Sequence, residues 1–280
     1  MTRIVADTLC GLSREEADSL DIPLIPQIIN FGEDSFREGV DMSHAQFMER
    51  LKAGKELPKT AAPYPGDFIA AFEKLIPTGE SIVCIHPSAD VSGTVRSAET
   101  AKLSFPDADI RIIDTRSIAG PLGTMVREAH RLAQAGASAD EVEAAVRELM
   151  PRVRIYFMVD TLEFLRRGGR IGGAAALMGT LLQIKPILTF LNGKIDQFEK
   201  ERTKRRALTR IKELVAAEAA RGAAAHLSVM HTGEVEEANQ IAAELCAAAG
   251  TDQVDILELA PAIVTHAGPG TLAIGFFTPA

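Results

Sequence analysis

Cysteine is scarce, and the three present, Cys10, Cys84 and Cys246, are odd in number, far apart and in no metal-like spacing. A disulfide framework and a zinc site are thereby excluded, and a reducing cytoplasm fits. Positive charge is in deficit: the net charge of −8 argues against a nucleic-acid binder, whose phosphate contacts need a basic face. Long hydrophobic runs are missing too. The opening Met1-Thr2-Arg3-Ile4-Val5-Ala6-Asp7 reaches an acid before any apolar stretch of signal-peptide length, so no secretion signal is expected there. The most membrane-like window, Ile171 to Ile184, is shorter than a span, contains Thr180 and Gln183 and runs into Lys185-Pro186, and it reads as a buried soluble helix.

Several catalytic signatures are also lacking. The histidines at 44, 86, 130, 226, 231 and 266 never place two ligands on one helix face with a carboxylate base, so no metal site is expected. Gly168 to Gly173 lacks the lysine and hydroxyl of a phosphate loop. Gly268-Pro269-Gly270-Thr271-Leu272-Ala273 imitates a dinucleotide fingerprint, but it precedes a strand-like run, and Pro269 removes an amide the phosphate would use. No Gly-x-Ser-x-Gly elbow supports a serine hydrolase.

What is present is ordinary soluble composition, 46% hydrophobic and 24% charged, on a chain long enough for one large or two medium domains. Residues 1–152 alternate short apolar runs (Arg3–Ala6, Leu24–Asn30, Ile82–Ile85, Ile110–Ile113) with amphipathic segments. This is the pattern of a three-layer α/β/α domain on a parallel sheet. Capping-box spacings at Ser13…Glu16, Ser43…Gln46 and Ser138…Glu141 mark helix starts, the last opening a stripe of Val142, Ala145, Val146 and Leu149 that Pro151 stops. Residues 153–280 read as a second α/β domain with a mixed sheet. Asn192-Gly193 between Pro186–Leu191 and Ile195–Phe198 is the strongest hairpin signal in the chain, because both turn positions need positive φ. The helices Thr203–Ala220 and Glu234–Ala249 and the strands Leu227–Met230, Val254–Leu257 and Leu272–Phe277 complete the expectation.

The stretch with most chemical promise is Ile82–Arg96. A buried strand breaks at Pro87, and Ser92-Gly93-Thr94 opens a segment with helical spacing at Val95, Ala98 and Leu103. Free amides and the positive end of a helix dipole suit a bound anion, although the commoner use of such a serine is to cap the helix. Thr60 stands in a loop from Gly54 to Pro65, and Asp114-Thr115 opens a second strand-to-helix turn near Gly120 and Gly123. In open α/β sheets, ligands gather outside the carboxyl ends of strands.

Taken in order, Asp7-Thr8, Pro23-Leu24, Thr60 before Pro63, Ser92-Gly93-Thr94, Asp114-Thr115 with Gly120, Leu162…Leu165-Arg166-Arg167-Gly168-Gly169-Arg170-Ile171, Lys185-Pro186-Ile187-Leu188, Lys200-Glu201-Arg202 and His266-Ala267-Gly268-Pro269-Gly270 resemble the DegV family. These are bacterial fatty-acid-binding proteins of the kind that serve as the FakB-type subunit of fatty acid kinase. The resemblance spans essentially the whole chain. It implies a fatty acid held between two α/β domains, with its carboxylate on Thr60, Ser92, Gly93 and Thr94 near His266. It implies no cofactor and no catalytic centre of the chain's own, a separate kinase making the acyl phosphate, and Glu38, Arg170 and Arg202 facing that kinase. A cytoplasmic monomer, with room for transient membrane contact, goes with it.

Three departures bear on that expectation. The family's Thr-Ser-Gln-Pro is here Thr60-Ala61-Ala62-Pro63, its His-Thr-Gly is His266-Ala267-Gly268, and Glu38 stands where an aspartate is usual. The first two remove side-chain donors from the carboxylate site. Two other chemistries compete. A small carbonyl compound held covalently by His266 would match the related dihydroxyacetone-kinase fold group. Acyl transfer by Ser92 with His266 as base would need a third orienting group.

Overall fold

The computed structural model describes residues 2–54, 57–179 and 184–280. The chain divides into two compact units, Met1–Met150 with Ala260–Ala262, and Pro151–Leu259 with Ile263–Ala280. Ala260–Ala262 thus group with the first unit rather than with the sequence around them.

In the first unit the strands are β1 (Thr2–Asp7), β2 (Leu24–Ile25), β3 (Ile28–Phe31), β4 (Asp34–Arg37), β5 (Lys59–Ala61), β6 (Ser81–His86) and β7 (Ile110–Asp114). The helices are α1 (Arg14–Ser19), α2 (His44–Lys52), α3 (Pro65–Leu75), α4 (Thr94–Lys102), α5 (Ala119–Gln134) and α6 (Ala139–Leu149). A parallel sheet runs β2-β1-β6-β7. Val5, Ile82, Cys84 and Ile110 turn one of its faces to Phe68, Phe72 and Leu75 of α3 and Ala98 and Ala101 of α4. Side chains alternate along a strand, so Ile4, Val83 and Ile85 face the other way, toward α5 and α6. Phe68 and Phe72 are fully buried, and each contributes about 1.5–3 kcal/mol of transfer free energy.

Two expectations for this unit are corrected. The run Leu24–Asn30 is not one strand: Pro26 has no N–H for a ladder, and the chain passes there from β2 of the parallel sheet into β3 of a separate antiparallel sheet, β4-β3-β5. The stretch from Gly54 to Pro65 is not all loop either. Within it Lys59–Ala61 forms β5, with Thr60 opposite Ile29.

The helix starts follow their capping residues. Ser43 and Ser138 make reciprocal capping boxes with Gln46 and Glu141, while Ser13 accepts the Glu16 amide at 3.0 Å. Val142, Val146 and Leu149 are buried along α6, and Ala145 is half-buried.

In the second unit come β8 (Val153–Met158), α7 (Glu163–Arg167), β9 (Lys185–Leu191), β10 (Lys194–Glu201), α8 (Lys204–Glu218), β11 (Ser228–His231), α9 (Val235–Ala249), β12 (Asp255–Glu258), α10 (Pro261–Ala267, whose first two residues group with the first unit) and β13 (Leu272–Phe277). Their sheet runs β10-β9-β8-β13-β11-β12, parallel only between β11 and β12. Asn192 and Gly193 take φ of 50° and 81°, the left-handed pair that a tight hairpin matching strand twist requires. Tyr156, Ile187, Leu272, Ile274 and Phe276 pack with Ile211, Leu214 and Val215 of α8 and Ile241 and Leu245 of α9. Ile171–Ile184 is not the expected α-helix: its described part holds a six-residue 3₁₀ segment, Gly172–Leu177, and residues 180–183 lie outside the described residues.

Candidate functional site

Strand β6 ends at His86, and Pro87, with no amide hydrogen, cannot continue its ladder. The chain then turns tightly, the amides of Val91 and Ser92 both reaching the Ser88 carbonyl at 3.1 and 3.0 Å, before α4 begins at Thr94. The turn lies at the carboxyl end of a central parallel strand, where open α/β sheets place their ligands.

Ser92 is not the helix cap. Gly93 occupies that position with no side-chain cap, and Ser92 Oγ instead accepts the Thr94 amide at 3.3 Å and pairs with Thr94 Oγ1 at 2.7 Å. Gly93 explains itself sterically, since a Cβ there would stand 3.1 Å from Ala62 Cβ. That contact sets the Ser92-Gly93-Thr94 turn against the segment that follows Thr60. Thr60 and Ser92 are both half-buried, and Thr94 is fully buried.

Behind this turn lies a polar network that the motifs did not reveal. Gln27, 2% exposed, donates from Nε2 to Thr94 Oγ1 at 2.9 Å and to Asp7 Oδ1 at 3.1 Å. The same Asp7 oxygen accepts the Leu9 amide at 3.0 Å, and Asp7 Oδ2 accepts His86 Nδ1–H at 2.7 Å. A carboxylate only accepts, so this contact puts the imidazole hydrogen on Nδ1. The His86 ring stands edge-on to Phe68, centroids 5.2 Å apart. Asp7 and His86 meet because they close the carboxyl ends of adjacent parallel strands, in the register that pairs Val5 with Cys84.

Glu38, expected at a partner-facing surface, is only 4% exposed. Thr8 Oγ1 takes the Gln27 amide at 3.1 Å and donates its own hydrogen to Glu38 Oε2, while Glu38 Oε1 accepts the Ala262 amide at 2.7 Å. Burial pushes this carboxyl up to about 7, against the pull of those two hydrogen bonds. A side chain so enclosed joins Thr8 to Ala262 within the first unit and does not lie on the surface where it was expected.

In the second unit, His266 lies in the last turn of α10, a helix whose Ile-Val-Thr core looks strand-like in sequence. Its ring packs over Gly168, where any side chain would collide with the imidazole. The arginine-glycine motif therefore carries glycine because the histidine covers it. Removal from water, then the Arg170 charge, pushes His266 down to about 4, so the imidazole is neutral at ordinary pH. Arg170 is half-buried and donates to the Gly168 carbonyl at 2.6 Å. Arg202 is exposed just before α8, followed by exposed Lys204, Arg205 and Arg206.

Among the described residues no group of three or more His, Cys, Asp or Glu side chains could hold a metal ion, and no helix is long and apolar enough to cross a membrane. What the first unit offers is hydroxyls and the amides of a helix start, a donor set for an anionic head group.

The DegV family model, described as "Uncharacterised protein, DegV family", matches residues 1–279. A DegV domain-containing protein of Halalkalibacterium halodurans is 34% identical over 275 residues, covering 98% of this chain and 97% of that protein. Among solved structures, DegV of Bacillus subtilis, a fatty acid binding protein, superposes with a TM-score of 0.86 at 32% identity, covering 99% of both chains. A fatty-acid-binding DegV family protein of Thermus thermophilus does so with a TM-score of 0.89 at 27% identity and 99% of both chains.

Proposed function

Because this chain belongs to the DegV family, we propose that it is a carrier that binds a long-chain fatty acid by its carboxylate on Thr60, Ser92 and Gly93, with Thr94 acting through Ser92 and His266 as a further polar contact, and presents it to a separate kinase for acyl-phosphate formation. The observation that carries the proposal is the packing of the Ser92-Gly93-Thr94 turn on Ala62, two residues from Thr60, at the start of α4. The fatty acid binding of the Bacillus subtilis and Thermus thermophilus proteins supports the ligand class.

The physics divides the work between tail and head. Each buried CH₂ gives about 0.8 kcal/mol, so a tail with roughly fifteen of them has a gross drive of about 12 kcal/mol before the costs of association. Short hydroxyls and amides then orient the carboxylate without committing a buried opposite charge to it. Acyl phosphate needs that carboxylate to meet a phosphoryl donor, and we assign Arg170 and exposed Arg202 to the kinase-facing side. The carrier is cytoplasmic and monomeric in this reading, and supplies no catalytic centre.

Fluorescence displacement with hexadecanoic acid tests it. Thr60→Ala and Ser92→Ala are each expected to weaken binding about tenfold or more, the loss of one hydrogen bond to a charged group. Unchanged affinity in both would remove this turn from the site. Loss of acyl phosphate made with the kinase in Arg202→Ala would support the partner assignment.

A further inference from the structure

The hydrogen bonds behind Ser92 have a direction. Asp7 Oδ1 accepts the Leu9 amide and faces the Gln27 side-chain amide at 3.1 Å, so the NH₂ rather than the C=O of Gln27 must point at it. The same nitrogen spends its other hydrogen on Thr94 Oγ1 at 2.9 Å. Thr94 cannot return a hydrogen to a nitrogen that is donating. Its hydroxyl has Ser92 Oγ as its acceptor, 2.7 Å away. The opposite arrangement, Ser92 donating to Thr94, would strand the Thr94 hydrogen on a fully buried group, whereas Ser92 is half-buried. An unpaired buried donor costs about 1–3 kcal/mol, so burial decides between the two. The Thr94 amide points at Ser92 Oγ as well, at 3.3 Å. With Ser92 Oγ filled as an acceptor from behind, its one hydrogen is left for a ligand.

We propose that Gln27 is a positioning residue that fixes Ser92 as a hydrogen-bond donor and thereby selects an acceptor-only head group, a carboxylate, over one that must itself donate, such as an alcohol. Asp7 sets the orientation of Gln27, Gln27 that of Thr94, and Thr94 that of Ser92. This rests on the proposal that the carboxylate sits at Ser92. With an acceptor in place of the Gln27 donor, the Thr94 hydroxyl donates to position 27 and accepts from Ser92, and the preference for an acceptor-only head group is lost.

The test compares hexadecanoic acid with hexadecan-1-ol by competitive displacement, since the two share a tail and differ in the head. In Gln27→Glu, whose carboxyl can donate to Asp7 and accept from Thr94, the acid is expected to bind about tenfold more weakly while the alcohol changes less than about twofold, the size of one charge-assisted hydrogen bond. Thr94→Val breaks the relay at its middle link with little change of shape and is expected to lower the acid-to-alcohol ratio similarly. It carries the test if Gln27→Glu does not fold. A Gln27 that only supports the fold would weaken both ligands alike, and that result would overturn the inference. So would an unaltered ratio in both variants alongside a large loss of acid binding in Ser92→Ala, which leaves the carboxylate site standing. No loss in Ser92→Ala would remove the site and the relay together.

Discussion

Replacing Glu38 by glutamine is expected to remove a fall in stability that the native chain undergoes as pH rises. The carboxyl titrates at 4.5 in a solvated chain and is pushed up to about 7 by burial in the fold. Between those values the unfolded chain has released its proton and the folded chain has not, so the folded state binds more protons and stability falls with rising pH. The effect begins above 4.5 and is complete above about 7. Each pH unit between the two titrations is worth about 1.4 kcal/mol, so ionising Glu38 costs the fold about 3 kcal/mol. His266 acts with the opposite sign. Its titration is pushed down to about 4 in the fold, so its contribution rises with pH across part of the same window. The wild-type profile alone therefore understates Glu38. The informative quantity is the difference between Glu38→Gln and wild type, from urea unfolding followed by far-ultraviolet circular dichroism, because the chain has no tryptophan to report by fluorescence. That difference is expected to shift by about 3 kcal/mol in favour of the variant between pH 4.5 and 8. A difference that stays constant with pH would refute the reasoning and return Glu38 to a solvated setting.

Gly168→Ala is expected to cost about 1–3 kcal/mol, because the new methyl must displace the His266 ring; thermal unfolding would show it. By NMR, the His266 ring is expected to titrate near 4 in the native chain, and Arg170→Ala to raise that value only partly, because loss of water is the larger cause and the Arg170 charge the smaller. Gly193→Val, at a turn position with φ of 81°, is expected to lose about 1–2 kcal/mol of stability by placing a β-branched residue in left-handed backbone.

Much of the fold could be read from the chain because local chemistry and tertiary packing agree. Leu272–Phe277 is continuously apolar and fully buried, Asn192-Gly193 supplies the two positive φ angles, and Ser43 and Ser138 cap as their spacing predicts. The failures share a cause, which is weak local pattern. Asp34–Arg37 is a largely exposed polar edge strand with no apolar alternation, and Lys59–Ala61 is three residues long, so the small antiparallel sheet left no periodic trace. Helix α10 was hidden behind β-branched residues at 263–265. Within the site, the hydroxyl turn was visible as a strand breaking before a helix start. The relay was not, because Asp7, Gln27, His86 and Thr94 come from four separate segments and meet only through the parallel pairing of β1 with β6 and the passage from β2 to β3. Glu38 was misread because its neighbours in sequence, Arg37 and Gly39, are exposed while its carboxylate turns inward to Thr8 and Ala262.

The proposed ligand is a long-chain fatty acid. Organic extraction of the purified, denatured protein followed by mass spectrometry asks this directly. A long-chain fatty acid at close to one equivalent per chain, reduced in Ser92→Ala, is the predicted result; a native protein that yields no fatty acid, and takes up none when hexadecanoic acid is supplied, would contradict it.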